Sequence, residues 1–390
     1  MTEQSTVDLY KRGRWRRPEL DGLRGLAILL VIYEHYVNGQ LKPAAGSLLN
    51  YMLLPGRLAG TGVDLFFLLS GYLIGGILID NRESPSYFKT FYVRRVCRIF
   101  PLYLICLGSA YVIGGRLWEV EHPSLLNYLT FTQNFWIATA GSFGGAALAV
   151  TWSLAIEEQF YLTIPALIHL ITPRRLLPLL VGCILLAPVS RLVLYLSIGN
   201  SISIFAVSKG IFVSHFLPFT RMDTLLIGVV TAWLHRRDFV APKRLLYLAL
   251  YVTGAGMLYI AWKDGGRALS PWLQLFCYDW FALFYLSLLL LASQGGLRWL
   301  QARALTFTGI ISYGLYLLHY PVYVMFGGDG SQGSLPQVVL TLSATIVVFT
   351  IATFSWHFFE GPLVRLGHRF RYETGLSDNP DFVVAPAEAE

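Results

Sequence analysis

Stretches of apolar residues, joined by short polar connections, recur along the whole chain and leave it almost no way to fold in water. Leu23–Asn38, Leu58–Ile79, Ile99–Ile113, Trp152–Ile171, Leu176–Ile198, Leu217–Leu234, Leu245–Trp262, Pro271–Ala292, Leu305–Phe326 and Val338–Phe358 are runs of this kind. Most are long enough to cross about 30 Å of hydrocarbon as a helix. With 55% hydrophobic and 14% charged residues, the composition lies outside the range of soluble domains. The expectation is an all-α fold, a polytopic membrane bundle of about ten transmembrane helices. Gly and Pro inside the runs do not mark loops, because neighbouring helices can satisfy the backbone groups they free.

The first run is not followed by a small-residue cleavage site and has many successors, so it reads as a span and not as a signal peptide. Cys97, Cys106, Cys183 and Cys277 lie in or beside apolar runs without a CxxC pair, and no His or Cys stands at metal-ligand spacing. They read as small hydrophobes, and no metal is expected.

The net charge of +7 could suggest nucleic acid, but its distribution argues for topology instead. Basic residues crowd alternate connections: Lys11 to Arg17, Arg82 to Arg98, Arg174 and Arg175, Arg236 to Arg244, Arg298 and Arg303, and Arg365 to Arg371. The intervening connections hold only Lys42, Arg57, Arg116, Lys209, Lys263 and Arg267. Both termini are therefore expected in the cytoplasm. Residues 1–17 form a basic cytoplasmic N-terminus, 18–372 the transmembrane domain, and 373–390 a polar tail expected to be disordered. No extramembrane stretch is long enough to fold as a catalytic domain, so any chemistry is expected in or at the membrane.

Titratable groups in hydrocarbon are costly and usually face a bundle interior or cavity. At 1.5 Å per residue, His35 lies roughly 20 Å along the first span and Glu157 and Glu158 within about 10 Å of the outer surface. Asp64, Arg221, Asp223 and His319 reach a similar level, which predicts a polar layer in the outer third of the bundle. Each has a plainer reading. His35 can be an internally bonded histidine, and His319 can satisfy carbonyls freed by Pro321. Asp64 can cap its helix, and Arg221 and Asp223 can pair with each other or with a carboxylate. Neighbours on a helix point about 100° apart, so at most one of Glu157 and Glu158 aims squarely at a cavity. Arg94, Arg95 and Arg98, with Arg94 or Arg95 beside Arg98 on one face, form either a lipid anchor or a phosphate clamp.

Together these segments resemble a family. Pro18–Glu19–Leu20–Asp21–Gly22–Leu23–Arg24–Gly25–Leu26–Ala27, ending in His35, is similar to the opening signature of the membrane acyltransferases often called acyltransferase family three. Gly62–Val63–Asp64–Leu65–Phe66–Phe67, Arg94–Arg95 through Arg98–Ile99–Phe100–Pro101, Thr151–Trp152–Ser153 through Glu157–Glu158–Gln159, and Ser312–Tyr313–Gly314 through His319 follow in the family's order. Trp356, Glu360 and Pro362 resemble its closing motif. The resemblance implies a helical bundle that O-acylates surface carbohydrate or, in some members, small molecules such as macrolides. It also implies that His35 is catalytic and that Arg94, Arg95 and Arg98, grouped with Arg24, handle acyl-CoA, which enters as donor substrate and not as a resident cofactor.

Many members carry an additional extracytoplasmic esterase-like domain. Without it, the acceptor is expected to meet the helices and short outer loops alone, favouring a lipid-linked sugar, a glycan unit or a small molecule over intact peptidoglycan. In the expected chemistry, His35 deprotonates the acceptor hydroxyl while Glu157 or Glu158 orients its imidazole. An acyl-His35 intermediate is the alternative. Asp64, Trp152, Ser153, Arg221, Asp223 and His319 are expected to bind substrate or support the site. A proton-coupled exporter would also use intramembrane His and Glu, but the chain has no evident inverted repeat.

Overall fold

The computed structural model describes residues 17–38, 47–113, 122–198, 209–264, 271–326 and 337–373. The chain before Arg17, the tail after Glu373, and Lys42, Arg116 and Arg267 lie outside the described residues. Among those described, every regular element is helical. The principal helices are α1 (Pro18–Tyr33), α2 (Gly62–Asp80), α3 (Tyr87–Ile113), α4 (Thr151–Leu170), α5 (Pro173–Ile198) and α6 (Pro218–His235). They are followed by α7 (Lys243–Asp264), α8 (Pro271–Ser293), α9 (Arg303–Ile310), α10 (Ser312–Met325), α11 (Gln337–Ser355) and α12 (Gly361–His368).

Local chemistry sets several boundaries. Pro18 opens α1 where its missing N–H costs nothing, and Glu19 and Asp21 in the first turn complement the helix dipole. Pro218 does the same for α6. Two boundaries depart from the apolar pattern. Helix α3 begins at Tyr87, well before the apolar run at Ile99, so Arg94, Arg95 and Arg98 lie inside a helix. The run at Leu305–Phe326 is divided at Ile311 into α9 and α10. Two π-helical segments, Glu34–Asn38 after α1 and Trp356–Glu360 after α11, add wide turns of the sort found at functional sites.

Six helices among the described residues are long and apolar enough to cross a membrane: Asn50–Asp80, Tyr87–Val112, Pro173–Ile198, Lys243–Lys263, Phe276–Ser293 and Val339–His368. The other apolar runs are short, divided or interrupted by charge. They carry His35, Glu157 and Glu158, Arg221 and Asp223, and His319.

Helices α2 and α6 pack so closely that a Cβ on Gly71 would lie 1.8 Å from the Leu225 carbonyl oxygen, and one on Gly228 would lie 2.4 Å from that of Leu68. Small residues permit such backbone approach in membranes, where dispersion and not water drives helix association. The contact sets Asp64 of α2 beside Arg221 of α6. Cys106 and Cys277 are buried and Cys97 and Cys183 partly so, all as free thiols.

Candidate active site

His35 sits in the π-helical turn that ends α1, half-buried. Its Nδ1 lies 2.9 Å from the Val31 carbonyl oxygen and 3.2 Å from Nε2 of His319, which is 0% exposed on α10. Nδ1 of His319 faces the carbonyls of Tyr316 and Leu315 at 2.7 and 3.2 Å. A carbonyl only accepts, so the network assigns the His319 proton to Nδ1 and leaves its Nε2 as an acceptor. His35 then carries its own proton on Nδ1, shared between Val31 and His319, and presents a bare Nε2 lone pair. The Tyr320 ring packs edge-on against His35 at 5.0 Å, and the Tyr36 hydroxyl donates to the His319 carbonyl at 2.6 Å. Tyr316, one turn before His319, donates to the Val150 carbonyl at 3.0 Å and meets the Ser153 hydroxyl at 2.5 Å, tying α4 to the histidine pair.

A second cluster gathers Arg24 of α1, Arg95 and Arg98 of α3, Glu157 and Glu158 of α4, and Glu360 of the π-turn after α11. Arg98 lies within electrostatic reach of Arg24, Arg95 and Glu360, and Glu157 within reach of Arg95 and Arg24. Arg24 is held by Asp21 at 3.1 Å. Glu157 accepts from Ser70 at 2.9 Å and from Tyr161 at 3.2 Å. The Arg98 guanidinium packs over the Trp356 and Tyr313 rings at 5.5 and 5.9 Å. Arg95 Nε, Glu158 Oε1 and Glu360 Oε2 are buried without a hydrogen-bond partner. Buried polar atoms rarely go unpaired in native proteins, so these three are atoms of the cluster still able to take a polar partner.

The polar residues of the sequence therefore divide into sets. His35 is bonded to His319, and the orienting contact expected from Glu157 or Glu158 is absent from its hydrogen bonds. The glutamates face the arginines instead, because their place on α4 turns them toward Ser70, Tyr161 and Arg95. Of the two arginines that helical spacing allows beside Arg98, the structure selects Arg95. Arg94 turns to the C-terminal segment, where Nε and Nη2 donate to the Phe370 carbonyl at 3.0 and 2.7 Å and the guanidinium stacks 5.1 Å from the Tyr372 ring.

A third set is a buried ion-pair network. Asp64 is not a cap; it accepts from Arg221 at 2.8 Å, while Arg221 stacks 3.9 Å from the Tyr278 ring. Asp223 does not pair with Arg221. It binds Arg191 of α5 at 2.5 Å, and Arg191 reaches Asp279 of α8 at 2.6 Å. Trp152 stands between this network and the rest of the site, its ring 4.7 Å from His215, whose Nδ1 meets the Tyr278 hydroxyl at 2.9 Å. Arg191, His215, Tyr278, Asp279, Tyr316 and Ser70 were not singled out from the sequence. A charge inside an apolar run was available as a signal for Arg191 and Asp279; the others become visible only through their partners.

Fold and motifs together define the class, an acyltransferase carried on membrane helices. The family model described as "Acyltransferase domain" matches residues 17–357, and the chain belongs to that family. It is similar to the "O-acetyltransferase OatA" of Staphylococcus aureus, with 27% identity over 376 residues covering 90% of this chain and 58% of that protein. It is also similar to the "Peptidoglycan O-acetyltransferase OatA" of Listeria monocytogenes, with 27% identity over 404 residues covering 94% of this chain and 58% of that one. The chain thus spans somewhat over half the length of these relatives. No solved structure matches it.

Proposed function

We propose that this chain is an integral-membrane O-acetyltransferase that moves an acyl group from cytosolic acyl-CoA to a hydroxyl of a cell-surface or exported carbohydrate. The observation that carries this reading is the bare Nε2 of His35, fixed by the Val31 carbonyl and His319, on the same helix as Arg24. Over the eleven residue steps that separate them, the helical rise gives roughly 16 Å. Phosphates held by Arg24, Arg95 and Arg98 would let an extended pantetheine arm carry its thioester toward His35. The similarity to the peptidoglycan O-acetyltransferase of Listeria monocytogenes supports a glycan acceptor of the peptidoglycan type. About ten spans with both termini in the cytoplasm remain our topology, supported by the alternation of basic connections.

His35 Nε2 takes the proton of the acceptor hydroxyl as its oxygen attacks the thioester carbonyl. The tetrahedral oxyanion collapses, the C–S bond breaks, and the departing thiolate receives the proton from the His35 imidazolium. His319 Nε2 accepts from His35 Nδ1–H throughout and steadies the imidazolium, the part played by the third group of a catalytic triad. Glu157, Glu158 and Glu360 balance the arginine charges when donor is absent. Asp64, Trp152, Arg221 and Asp223 support the acceptor end. The test is transfer of labelled acetyl from acetyl-CoA to a glycan acceptor by purified protein in nanodiscs. His35→Ala is expected to abolish it, and near-normal transfer by that variant would overturn the assignment.

A further inference from the structure

We propose that a cavity at the basic end of the bundle, between the ends of α2 and α6 and the C-terminal segment, holds the adenosine 3′,5′-bisphosphate half of acyl-CoA. This rests on the donor reading above. The cavity measures about 670 Å³, within the range of small-molecule sites. Asp80, Arg82, Trp233, Arg236, Arg237 and Tyr372 are among its lining residues.

Three arginines and three carboxylates, Asp80, Glu83 and Glu373, line it, and most of that charge is already engaged, with Glu83 3.8 Å from Arg82. Arg236 closes a two-point pair with Asp80 at 2.5 and 2.6 Å, and Arg82 donates to the carbonyls of His169 and Ile171 at the end of α4. Arg237 differs. Its guanidinium makes no hydrogen bond or ion pair among the described residues, and it lies 3.9 Å from the centre of the Trp233 ring. Stacking occupies the face of a guanidinium and leaves its N–H edge available, the arrangement that suits a phosphate.

Tyr372 supplies the second pointer. Its hydroxyl is buried without a hydrogen-bond partner, and its ring lies under Arg94, within electrostatic reach of Arg95. The cavity wall is therefore shared with the start of the arginine cluster. A ligand with phosphate at Arg237 and a polar group at Tyr372 has its remaining arm on the side of Arg95. Among acyl donors, a nucleotide-bearing thioester has that layout, and a bare thioester does not.

The test compares acetyl-CoA with acetyl-pantetheine, which lacks the nucleotide, in purified full-length protein in nanodiscs. Arg237→Gln and Trp233→Leu are each expected to lower the ratio of kcat/KM for acetyl-CoA to that for acetyl-pantetheine about tenfold, the worth of one charged contact. Labelled adenosine 3′,5′-bisphosphate should bind the unaltered protein and lose about tenfold in affinity in the Arg237→Gln variant, a readout independent of turnover. An unchanged ratio and unchanged nucleotide binding, in protein that does use acetyl-CoA, would overturn this assignment and leave the donor reading standing. Equal loss with both donors that tracks the anionic-phospholipid content of the nanodisc would assign Arg237 to a lipid headgroup and also overturn it. Failure of the unaltered protein to use acetyl-CoA at all would overturn the donor reading, and the pocket assignment with it.

Discussion

Replacing His319 separates an orienting partner from a structural filler. In His319→Asn, the amide nitrogen can occupy the position of Nδ1 and still donate to the Tyr316 carbonyl at 2.7 Å, but nothing reaches the place of Nε2, 3.2 Å from His35. In His319→Gln, the longer side chain returns an acceptor oxygen to that place. The energy at stake is one buried hydrogen bond to a group that becomes cationic during the reaction. Because the Val31 carbonyl remains as an alternative acceptor at 2.9 Å, the loss is the partial one of about 1–2 kcal/mol. Taken wholly from the transition state, that corresponds to a fall in kcat of about 5- to 30-fold for the asparagine variant. The glutamine variant should recover most of it. The KM for acyl-CoA should not move, because Arg24, which with Arg95 and Arg98 of α3 would bind the donor, lies about three turns away from His35 along the chain. The assay is initial-rate transfer of labelled acetyl in nanodiscs, with thermal unfolding of each variant as a control on folding. Equal kcat in both variants and the unaltered protein would refute the dyad. So would equal loss in both accompanied by lowered thermal stability, which would return His319 to a packing role.

Further substitutions probe the other sets. Arg95→Ala and Arg98→Ala should each raise the KM for acyl-CoA about tenfold or more, with lysine restoring only part because it lacks the planar fork; an unchanged KM would make the cluster a lipid anchor. Arg94→Ala should free residues 369–373, read as faster proteolysis at the C-terminal segment, since Arg94 is spent on the Phe370 carbonyl, and any rise in that KM should come only through the displaced Tyr372. Asp64→Ala strands the buried Arg221 charge and should cost about 3–5 kcal/mol of stability, whereas the double variant Asp64→Leu with Arg221→Met should recover much of it; calorimetry in detergent distinguishes the two outcomes. Gly71→Val would drive side-chain atoms into the Leu225 carbonyl, and correctly folded yield should fall sharply; normal yield would mean that α2 and α6 do not pack as closely as described.

The sequence by itself determined the helical class, the presence of apolar spans and most of their limits, because hydrocarbon admits few backbone solutions and each run of side chains is long enough to reveal itself. It also singled out many of the titratable groups of the site, since charge inside an apolar run is costly enough to be conspicuous, but Arg191, His215, Tyr278 and Asp279 were found only through their partners. Which of those groups meet was decided only by the tertiary structure. Pairing depends on helix rotation and on contacts between segments hundreds of residues apart, and neither leaves a mark in local composition. His35 could be placed in depth from the rise per residue, but the π-turn that carries it and the rotation of α10 bring it to His319, while α4 turns Glu157 and Glu158 toward the arginines. Likewise, Asp64 looked like a cap from its position after Gly62. Only the close approach of α2 and α6, made possible by Gly71 and Gly228, sets it against Arg221.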